Sequence, residues 1–297
     1  MTIALRPEGP AFFDLSARVK LRLAGADVFR FLNGQITNNA GKASENSAIQ
    51  AAVLSAKGKM AAHVFFSRQN DGFVLDADPE LREELPARLD RYVIADAVQI
   101  EDVTEKCSLF HVLGDGPPTV AGSIRTVAAN RFRSAGWDVW LEFGEAEETR
   151  RQLAEGLAFC DEACAEILRI EHGIPRWGRE LTTEIIPIEA NLEESSIDYD
   201  KGCYIGQEVV SRMKMSGQTN KRLCGLVSLS GAPLHAEMRL TRASEPGKDA
   251  GWITSATKSG QLGKEIALGY VKRGYNTIGS LLQAGDVPVE VVALPFL

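Results

Sequence analysis

Short apolar runs separated by glycine, proline and serine dominate the last third of the chain. From residue 217 onward these runs are RLCGLVSL, LHAEMRL, AGWITSAT, EIALGYV and VPVEVVAL. Runs of this length, at near-regular spacing and broken by turn residues, are typical of strands in a small barrel or sandwich. The sequence therefore predicts an all-β C-terminal domain over residues 217–297.

The first hundred residues mix strand and helix signals. RVKLRLA alternates apolar and polar residues, and ADVFRFLN then predicts a short helix ended by Gly34. IQAAVL, MAAHVFFS and FVLDA follow as strands joined by glycine-containing turns. Asp78 before Pro79 predicts the start of a helix that runs to about Tyr92, and AVQIEDV predicts a further strand. This order favours an α+β, ferredoxin-like domain over residues 1–105.

A second α+β domain is predicted for residues 106–216. WDVWLEF predicts a strand, and EAEETRRQLAEGL carries acids in its first turn and bases later, as the helix dipole favours. DEACAEILRIEH predicts another helix, which ends at Gly173. Periodicity fades over residues 174–200, and so long a loop inside a compact protein is more often functional than idle.

Composition and charge exclude several classes of function. The chain has 297 residues, of which 44% are hydrophobic and 25% charged, and its net charge is −7. This balance indicates a soluble globular protein and argues against a broad surface for duplex DNA or an anionic membrane. No run approaches the roughly 18 apolar residues of a membrane span, and the N-terminus lacks a signal peptide's apolar stretch. A cytoplasmic protein is expected.

The five cysteines, at positions 107, 160, 164, 203 and 224, show no framework spacing. A disulfide scaffold is therefore disfavoured and reduced thiols are expected. Cys160 and Cys164 lie four residues apart, which on a helix is one face, and packing is favoured over metal binding for this pair. The sequence contains no P-loop, no dinucleotide fingerprint, no serine-hydrolase elbow and no zinc motif.

Cys203 is the candidate for reactive chemistry. In KGCYIGQE, Lys201 stands two residues before it and a short helix is predicted to follow. A neighbouring ammonium and the free N–H groups of a helix start would lower the pKa of the thiol, and the thiolate is the reactive form. Gly202 and Gly206 would let the backbone approach a ligand closely. The alternative is a small buried cysteine at a helix entry.

Other polar residues allow two interpretations each. Gln207, Glu208 and Arg212 are either ligand contacts or a solvated helix face. RIEHGIPRWGREL, residues 169–181, brings arginine and tryptophan together, which can hold a carboxylate and a flat ring, or it is a helix end with surface ion pairs. For His63, inside a predicted strand, a satisfied core or surface histidine is favoured over a catalytic one.

The quoted motifs resemble those of a known family. KGCYIGQE resembles the signature of the YgfZ family, folate-binding proteins related to the aminomethyltransferase of the glycine cleavage system. FLNGQITN, AKGKM and RIEHGIPRWGREL are similar to further family motifs in order and spacing, and GWITSAT and IALGYV are similar to segments of its C-terminal barrel. The resemblance spans nearly the whole chain. The cysteine octapeptide is its specific part, because the barrel segments are shared with the transferases.

The resemblance implies an aminomethyltransferase-like ring of two mixed α/β domains plus a C-terminal small β-barrel, around a folate-sized cavity. It also implies a role in making or repairing iron-sulfur clusters, including those of tRNA-thiolating enzymes. Tetrahydrofolate is the implied cofactor, and a transient iron-sulfur cluster is a second candidate group. Iron-sulfur carrier or client proteins are the implied partners, whereas direct nucleic-acid contact, membrane contact and a resident metal are not expected. A monomer is expected.

On this resemblance Cys203 is the catalytic candidate. Cationic groups such as Arg176, Lys201 and Arg212 suit the carboxylates of folate. Folate contacts are predicted for residues of the matching motifs: Lys201, Gly202, Tyr204, Gly206, Gln207, Glu208, Arg176, Trp177, Glu171, Asn33 and Gln35.

One departure separates this chain from the transferases. The aminomethyltransferases carry an acidic pair after the hairpin glycine, where this chain has Ala62 and His63, and neither residue supplies a carboxylate. Of their second acidic motif only Asp138 remains, and Gln50 aligns with their tyrosine. A folate-dependent aminomethyltransferase or demethylase with a different acid is therefore one alternative. A non-catalytic scaffold for cluster carriers, which calorimetry with tetrahydrofolate would distinguish, is the other.

Overall fold

A computed structural model describes residues 9–242 and 244–297 of the chain. The described residues divide into two compact units. Residues 9–161 and 193–211 form the first, here called the two-sheet unit, and residues 162–192 and 212–297 form the second, the barrel unit.

The described part of the two-sheet unit before residue 162 contains ten strands and three α-helices. Its strands are β1 (Ala11–Asp14), β2 (Val19–Ala24), β3 (Ile49–Leu54), β4 (Met60–Gln69), β5 (Gly72–Ala77), β6 (Gln99–Asp102), β7 (Cys107–Leu113), β8 (Ser123–Ala128), β9 (Gly136–Glu142) and β10 (Ala158–Phe159). Its helices before residue 161 are α1 (Val28–Gln35), α2 (Glu84–Asp90) and α3 (Ala146–Ala154).

Further helices follow along the chain. They are α4 (Glu162–Glu171) in the barrel unit, α5 (Glu193–Ser196) in the two-sheet unit and α6 (Gln207–Ser216), which crosses from one unit to the other in sequence. None of the helices in the described part of the chain combines the length and apolar character needed to cross a membrane.

The strands of the two-sheet unit form two five-stranded sheets. Their orders are β10-β1-β7-β9-β8 and β3-β4-β5-β2-β6. All pairings are antiparallel except that of β1 with β10. Val74 of β5 packs with Leu109, Val127 and Trp140 of β7, β8 and β9, so one face of each sheet is buried against the other. Each such side chain removed from water contributes about 1.5–3 kcal/mol to this packing.

The barrel unit is built around a closed barrel. Its strands are β11 (Lys221–Ser228), β12 (Arg239–Arg242), β13 (Glu245–Ser259), β14 (Lys264–Lys272), β15 (Leu281–Ala284) and β16 (Val287–Val292), closing in the order β11-β14-β13-β12-β15-β16. Alternate residues such as Leu226, Ile253 and Val289 fill the interior. The expected all-β fold of the C-terminal part is confirmed and is a barrel, whereas the domain bounds 217–297 stay a prediction.

Most predicted elements are present with small shifts in their bounds. Two differ for physical reasons. Asp78 lies at the predicted N-cap position, but the helix that Pro79 begins is a short 3-10 helix, and the Asp78 carboxylate accepts from Arg18 at 2.8 Å instead of capping it. α2 follows and ends at Asp90. LHAEMRL is mostly outside a strand, since β12 begins at Arg239.

Candidate functional site around Cys203

Cys203 lies in the loop between α5 and α6, and it is exposed. Gly202 is exposed as well, whereas the flanking Lys201 and Tyr204 side chains are only 7% and 8% exposed. The chain thus presents the thiol on a short exposed stretch between two buried anchors. This excludes the alternative of a buried cysteine at the helix entry.

Lys201 is the first anchor. Its ammonium donates to the carbonyl oxygens of Asn33 at 2.6 Å, Ile36 at 2.7 Å and Asn38 at 2.7 Å. An ammonium has three N–H donors, so all of them are used. Burial lowers the pKa of Lys201 to about 8, although Asp198 acts in the opposite direction. The ammonium therefore fastens KGCYIGQE to FLNGQITN, and its role as a folate contact stays a prediction.

Tyr204 and Gly206 form the second anchor. The Lys201 nitrogen lies 5.2 Å from the centre of the Tyr204 ring, and burial raises the pKa of this tyrosine to about 12. Gly206 has a φ of 87°, and a Cβ there would come within 2.8 Å of the Ser55 carbonyl oxygen. A larger residue is excluded by both the backbone angle and the close approach. The loop is thereby seated on the β3–β4 hairpin.

The hairpin turn also receives α6. Gly58 has a φ of 73°, and a Cβ on it would lie 2.6 Å from Cβ of Val209. The AKGKM turn therefore uses its glycine for a left-handed conformation and for contact with the helix that follows Cys203. The three motifs FLNGQITN, AKGKM and KGCYIGQE meet at one place in the two-sheet unit.

Polar side chains of FLNGQITN organise this meeting point. The Thr37 hydroxyl donates to the Ser196 carbonyl at 2.6 Å and accepts from the Ala52 N–H at 2.8 Å. Asn33 accepts from the Ala40 N–H at 3.0 Å through its side-chain oxygen. The Gln35 side chain likewise accepts from Arg88, at 3.0 Å. In this structure these groups bind the chain itself, and folate contacts at Asn33 and Gln35 stay predictions. Gln207 and Glu208 begin α6.

His63 lies at the position where the transferases carry an acid. It is 8% exposed, and its Nε2 lies 3.2 Å from the Ser196 hydroxyl. Burial lowers the pKa of His63 to about 4, with Asp78 acting in the opposite direction. The ring is therefore neutral at physiological pH. It satisfies a buried hydroxyl, as the favoured interpretation of a core histidine predicts.

The buried acids near this position are held by arginine. Arg131 donates to both oxygens of Asp76 and to both oxygens of Asp138, over 2.6–3.0 Å, and Asp138 also contacts His111 at 2.8 Å. Burial alone would raise the pKa of Asp138, but the guanidinium and the His111 hydrogen bond lower it to about 2. Sequence reasoning missed Arg131, since its partner Asp76 is 55 residues away.

RIEHGIPRWGREL lies in the barrel unit. Glu180, fully buried, accepts from Arg169 at 3.0 Å and from the hydroxyls of Thr254 and Ser255 at 2.7 and 2.6 Å. These contacts fasten the segment to β13. Glu180 is a further residue that its local sequence did not single out.

The predicted site residues of this segment have mixed surroundings. Glu171 is fully buried and accepts from the Ser259 hydroxyl at 2.5 Å. Trp177 is 8% exposed. Arg176 forms an ion pair of 3.3 Å with Glu166, and its Nε is buried without an acceptor.

The other cysteines are less accessible than Cys203. Cys224 is buried, and burial raises the pKa of its thiol to about 11. Cys107 is half-buried, and burial raises its pKa too. Cys160 and Cys164 are disulfide-bonded, which corrects the expectation of reduced thiols throughout, and Cys160 precedes α4 instead of sharing its face. Of the five cysteines, all within the described residues, Cys203 alone is free and exposed.

Comparison with known proteins identifies the class of fold. Residues 221–297 match the family described as the glycine cleavage T-protein C-terminal barrel domain. The crystal structure of aminomethyltransferase T from Bartonella henselae superposes with a TM-score of 0.86 over 98% of this chain and 87% of that one, at 17% identity. The chain therefore has the aminomethyltransferase fold, and the predicted fold class is confirmed.

Relatives in sequence carry several names. An aminomethyltransferase of Rubrobacter xylanophilus is 28% identical, covering 96% of this chain and 82% of that protein. The tRNA-modifying protein YgfZ of Shigella dysenteriae is 29% identical, covering 86% and 87%. The mitochondrial iron-sulfur cluster assembly factor IBA57 homolog of Dictyostelium discoideum is 24% identical, covering 72% and 61%. The chain is thus aminomethyltransferase-like in sequence as well as in fold.

Proposed function

We propose that the protein is a tetrahydrofolate-binding accessory factor for the assembly or repair of iron-sulfur clusters, and that Cys203 supplies the thiolate on which this role depends. The observation that carries the proposal is the exposure of Cys203 on a loop held by Lys201 and Gly206. A free, exposed thiol on an ordered loop is available to a partner, and its thiolate is the reactive and metal-binding form.

The names of two relatives support this role. One relative is described as an iron-sulfur cluster assembly factor and another as a tRNA-modifying protein. The resemblance of KGCYIGQE to the YgfZ signature supports it as well. One thiolate falls short of the four that usually hold a cluster. The described residues contain no group of three or more His, Cys, Asp and Glu arranged to hold a metal ion. Cys203 would therefore act with ligands supplied by a partner.

Only some of the side chains predicted to contact folate have polar groups that are available to it. The side chains of Lys201, Asn33 and Gln35 already form hydrogen bonds within the chain. Arg176 is a better candidate, because its buried Nε has no acceptor and a guanidinium suits the carboxylates that folate carries. When bound, tetrahydrofolate would supply a one-carbon carrier. Calorimetry with tetrahydrofolate tests this part of the proposal, and an absence of binding heat would favour the non-catalytic scaffold.

The surroundings of His63 argue against a transferase. A transferase of this fold needs a free carboxylate near the folate nitrogen, according to the resemblance. Ala62 and His63 offer none, and both oxygens of Asp76 and of Asp138 are engaged by Arg131. Incubation with tetrahydrofolate and a methylamine-type donor should therefore give no methylene-tetrahydrofolate.

Replacement of Cys203 tests the central assignment. In cells that lack the endogenous protein, Cys203→Ala should leave cluster-dependent enzymes, including tRNA-thiolating ones, as inactive as no protein at all. Because the side chain is exposed, the free energy of unfolding should change by less than about 0.5 kcal/mol. The enzymes' activities and thermal unfolding are the two measurements.

Cys107→Ala is the matched control, since it removes a free thiol that is half-buried and in a strand. It should support cluster enzymes normally. If Cys203→Ala restores full activity, the thiolate role is wrong, whatever the folate measurement gives.

A further inference from the structure

A cavity of about 270 Å³ lies between the two sheets of the two-sheet unit. Residues of β2 and β5 line it from one sheet, and residues of β7, β8 and β9 line it from the other. Its volume falls just below the roughly 300–1,000 Å³ of typical small-molecule sites. No residue of the Cys203 loop is among those that line it. This inter-sheet cavity is therefore a separate site with room for a small ligand.

The charge around the inter-sheet cavity is positive. Arg22, Lys106 and Arg125 line it, and none of the described lining residues is acidic. Glu101 lies outside the lining and is shared, because it pairs with Lys106 and, at 4.0 Å, with Arg22. One carboxylate for two cations leaves a positive charge at the rim. The field therefore favours an anion.

Arg125 is the inner cation. Its Nη2 donates to the carbonyl oxygens of Glu45 at 2.8 Å and Arg68 at 2.9 Å, and to the Ser67 hydroxyl at 3.2 Å. These acceptors carry no charge, and the carboxylates of Glu45 and Asp138 act on the guanidinium without a hydrogen bond to it. Its Nη1 is buried and has no acceptor. A buried donor without a partner costs free energy, so a small shift of the side chain that brings Nη1 to an oxygen in the cavity would be favoured.

Most of the remaining lining is apolar, and Gln69 and Asn70 are its polar members. Trp140 and Val74 are 6% and 5% exposed and belong to the packed layer between the sheets, and Ile124 on β8 covers another side. A strongly hydrated anion such as phosphate would lose its water against this layer without compensation. A flat apolar body would gain contact with the indole and the aliphatic groups.

We propose that the inter-sheet cavity binds a small carboxylate with a flat apolar body, of which benzoate is the simplest example. The carboxylate would accept from Arg125, with Arg22 and Lys106 supplying the attracting charge, and the ring would lie against Trp140. Small-molecule sites commonly combine a few polar groups, which orient the ligand, with a largely apolar lining that contacts its body.

Titration calorimetry with three probes tests the ligand class. Benzoate should bind saturably at one site per chain with a Kd of about 1 mM, as expected for so few atoms. Benzamide has the same shape without the charge and should bind at least about tenfold more weakly. Inorganic phosphate should give no saturable heat. Equal binding of benzoate and benzamide, or binding of phosphate alone, would overturn the proposal.

Substitutions of the cations that line the inter-sheet cavity test where benzoate binds. Arg125→Gln should weaken benzoate binding at least about tenfold, and Lys106→Gln by about threefold, since Lys106 acts at the rim. Lys258→Gln, at an exposed lysine of the barrel unit, is the control and should bind as the unchanged protein does. Lys106 is 65% exposed, so its replacement tests the site even if Arg125→Gln fails to fold.

Cys107 provides a second readout, because it is one of the residues that line the inter-sheet cavity. Saturating benzoate should slow alkylation of Cys107 by iodoacetamide, followed by mass spectrometry of its peptide. Alkylation of Cys203 in the same sample should keep its rate and serves as the internal reference. An unchanged rate at Cys107 would show that benzoate binds elsewhere and would refute the assignment.

Discussion

Single buried groups set the electrostatic character of the two-sheet unit. His63 is held neutral by burial, whereas Asp138 is held charged by Arg131. Asp138 is hydrogen-bonded to Arg131, whereas the acids Asp76 and Asp78 near His63 are opposed by nearby arginines, so burial is the largest effect there. A directly bonded opposite charge therefore decides which of two buried groups stays charged.

The neutral state of His63 makes stability depend on pH. The unfolded chain takes up this proton near pH 6.5, and the folded chain only near pH 4, so stability is complete above pH 6.5 and is lost as the pH falls toward 4. This site should contribute a loss of about 3 kcal/mol by pH 4. Denaturant unfolding of His63→Gln at pH 7 and pH 4 should show a correspondingly smaller loss.

His235→Gln is the control, because His235 is exposed. Its acid sensitivity should equal that of the unchanged protein. Equal slopes for His63→Gln and His235→Gln would mean that His63 does not carry the effect.

For single residues, the sequence predicted which ones matter better than it predicted the groups that they contact. The glycine and lysine neighbours of Cys203 marked its loop, because local spacing is enough to identify a distinctive motif. The three carbonyl partners of Lys201 lie more than 160 residues away, and Arg131 pairs with Asp76 over 55 residues. Such contacts depend on tertiary packing, which no short pattern encodes.

Between elements, the Lys201 ammonium joins the Cys203 loop to the end of α1 and the segment that follows it. Lys201→Met should leave three carbonyls without their charged donor and lower the free energy of unfolding by about 2–4 kcal/mol. The loop should also loosen, so hydrogen exchange over residues 201–206 should quicken. Chemical denaturation and hydrogen exchange followed by mass spectrometry measure the two effects.

Lys57→Met is the control, since Lys57 is exposed in the β3–β4 turn. It should change stability by less than about 0.5 kcal/mol. Similar stability of the two variants would show that the ammonium does not hold the loop.

Strands and helices were predicted well where the spacing of apolar or charged residues in the sequence was regular. β2 to β5 and α3 were predicted closely because alternation and first-turn acids are local signals. The buried β7, CSLFHVL, was missed, since a nearly continuous apolar run gives no alternation. The spacing of Asp78 and Pro79 correctly predicts where a helix begins, but it does not predict that the Asp78 carboxylate binds Arg18 instead of the helix N–H groups.

Across the whole two-sheet unit, Arg131 joins β5 of one sheet to β9 of the other through Asp76 and Asp138. Arg131→Met would leave the buried Asp138 without its guanidinium and Asp76 with Arg18 alone. The free energy of unfolding should fall by about 3–5 kcal/mol, the usual result of removing one partner of a buried pair. Denaturant unfolding measures this loss.

Arg91→Met removes an exposed arginine just after α2 and should cost less than about 0.5 kcal/mol. Arg131→Lys should fall between the two, because lysine keeps the charge but not the paired geometry. A loss for Arg131→Met no larger than that for Arg91→Met would contradict the linking role.

The closed order of the barrel strands bears on how another protein can attach. A strand from a second chain needs an unpaired edge to join, and a closed barrel offers none over its ladder. The open sheets end at β10 and β6, which are two and four residues long, and at β3 and β8. Any protein that bound the barrel ladder would therefore have to recognise its side chains, because the ladder has no free backbone edge for strand addition.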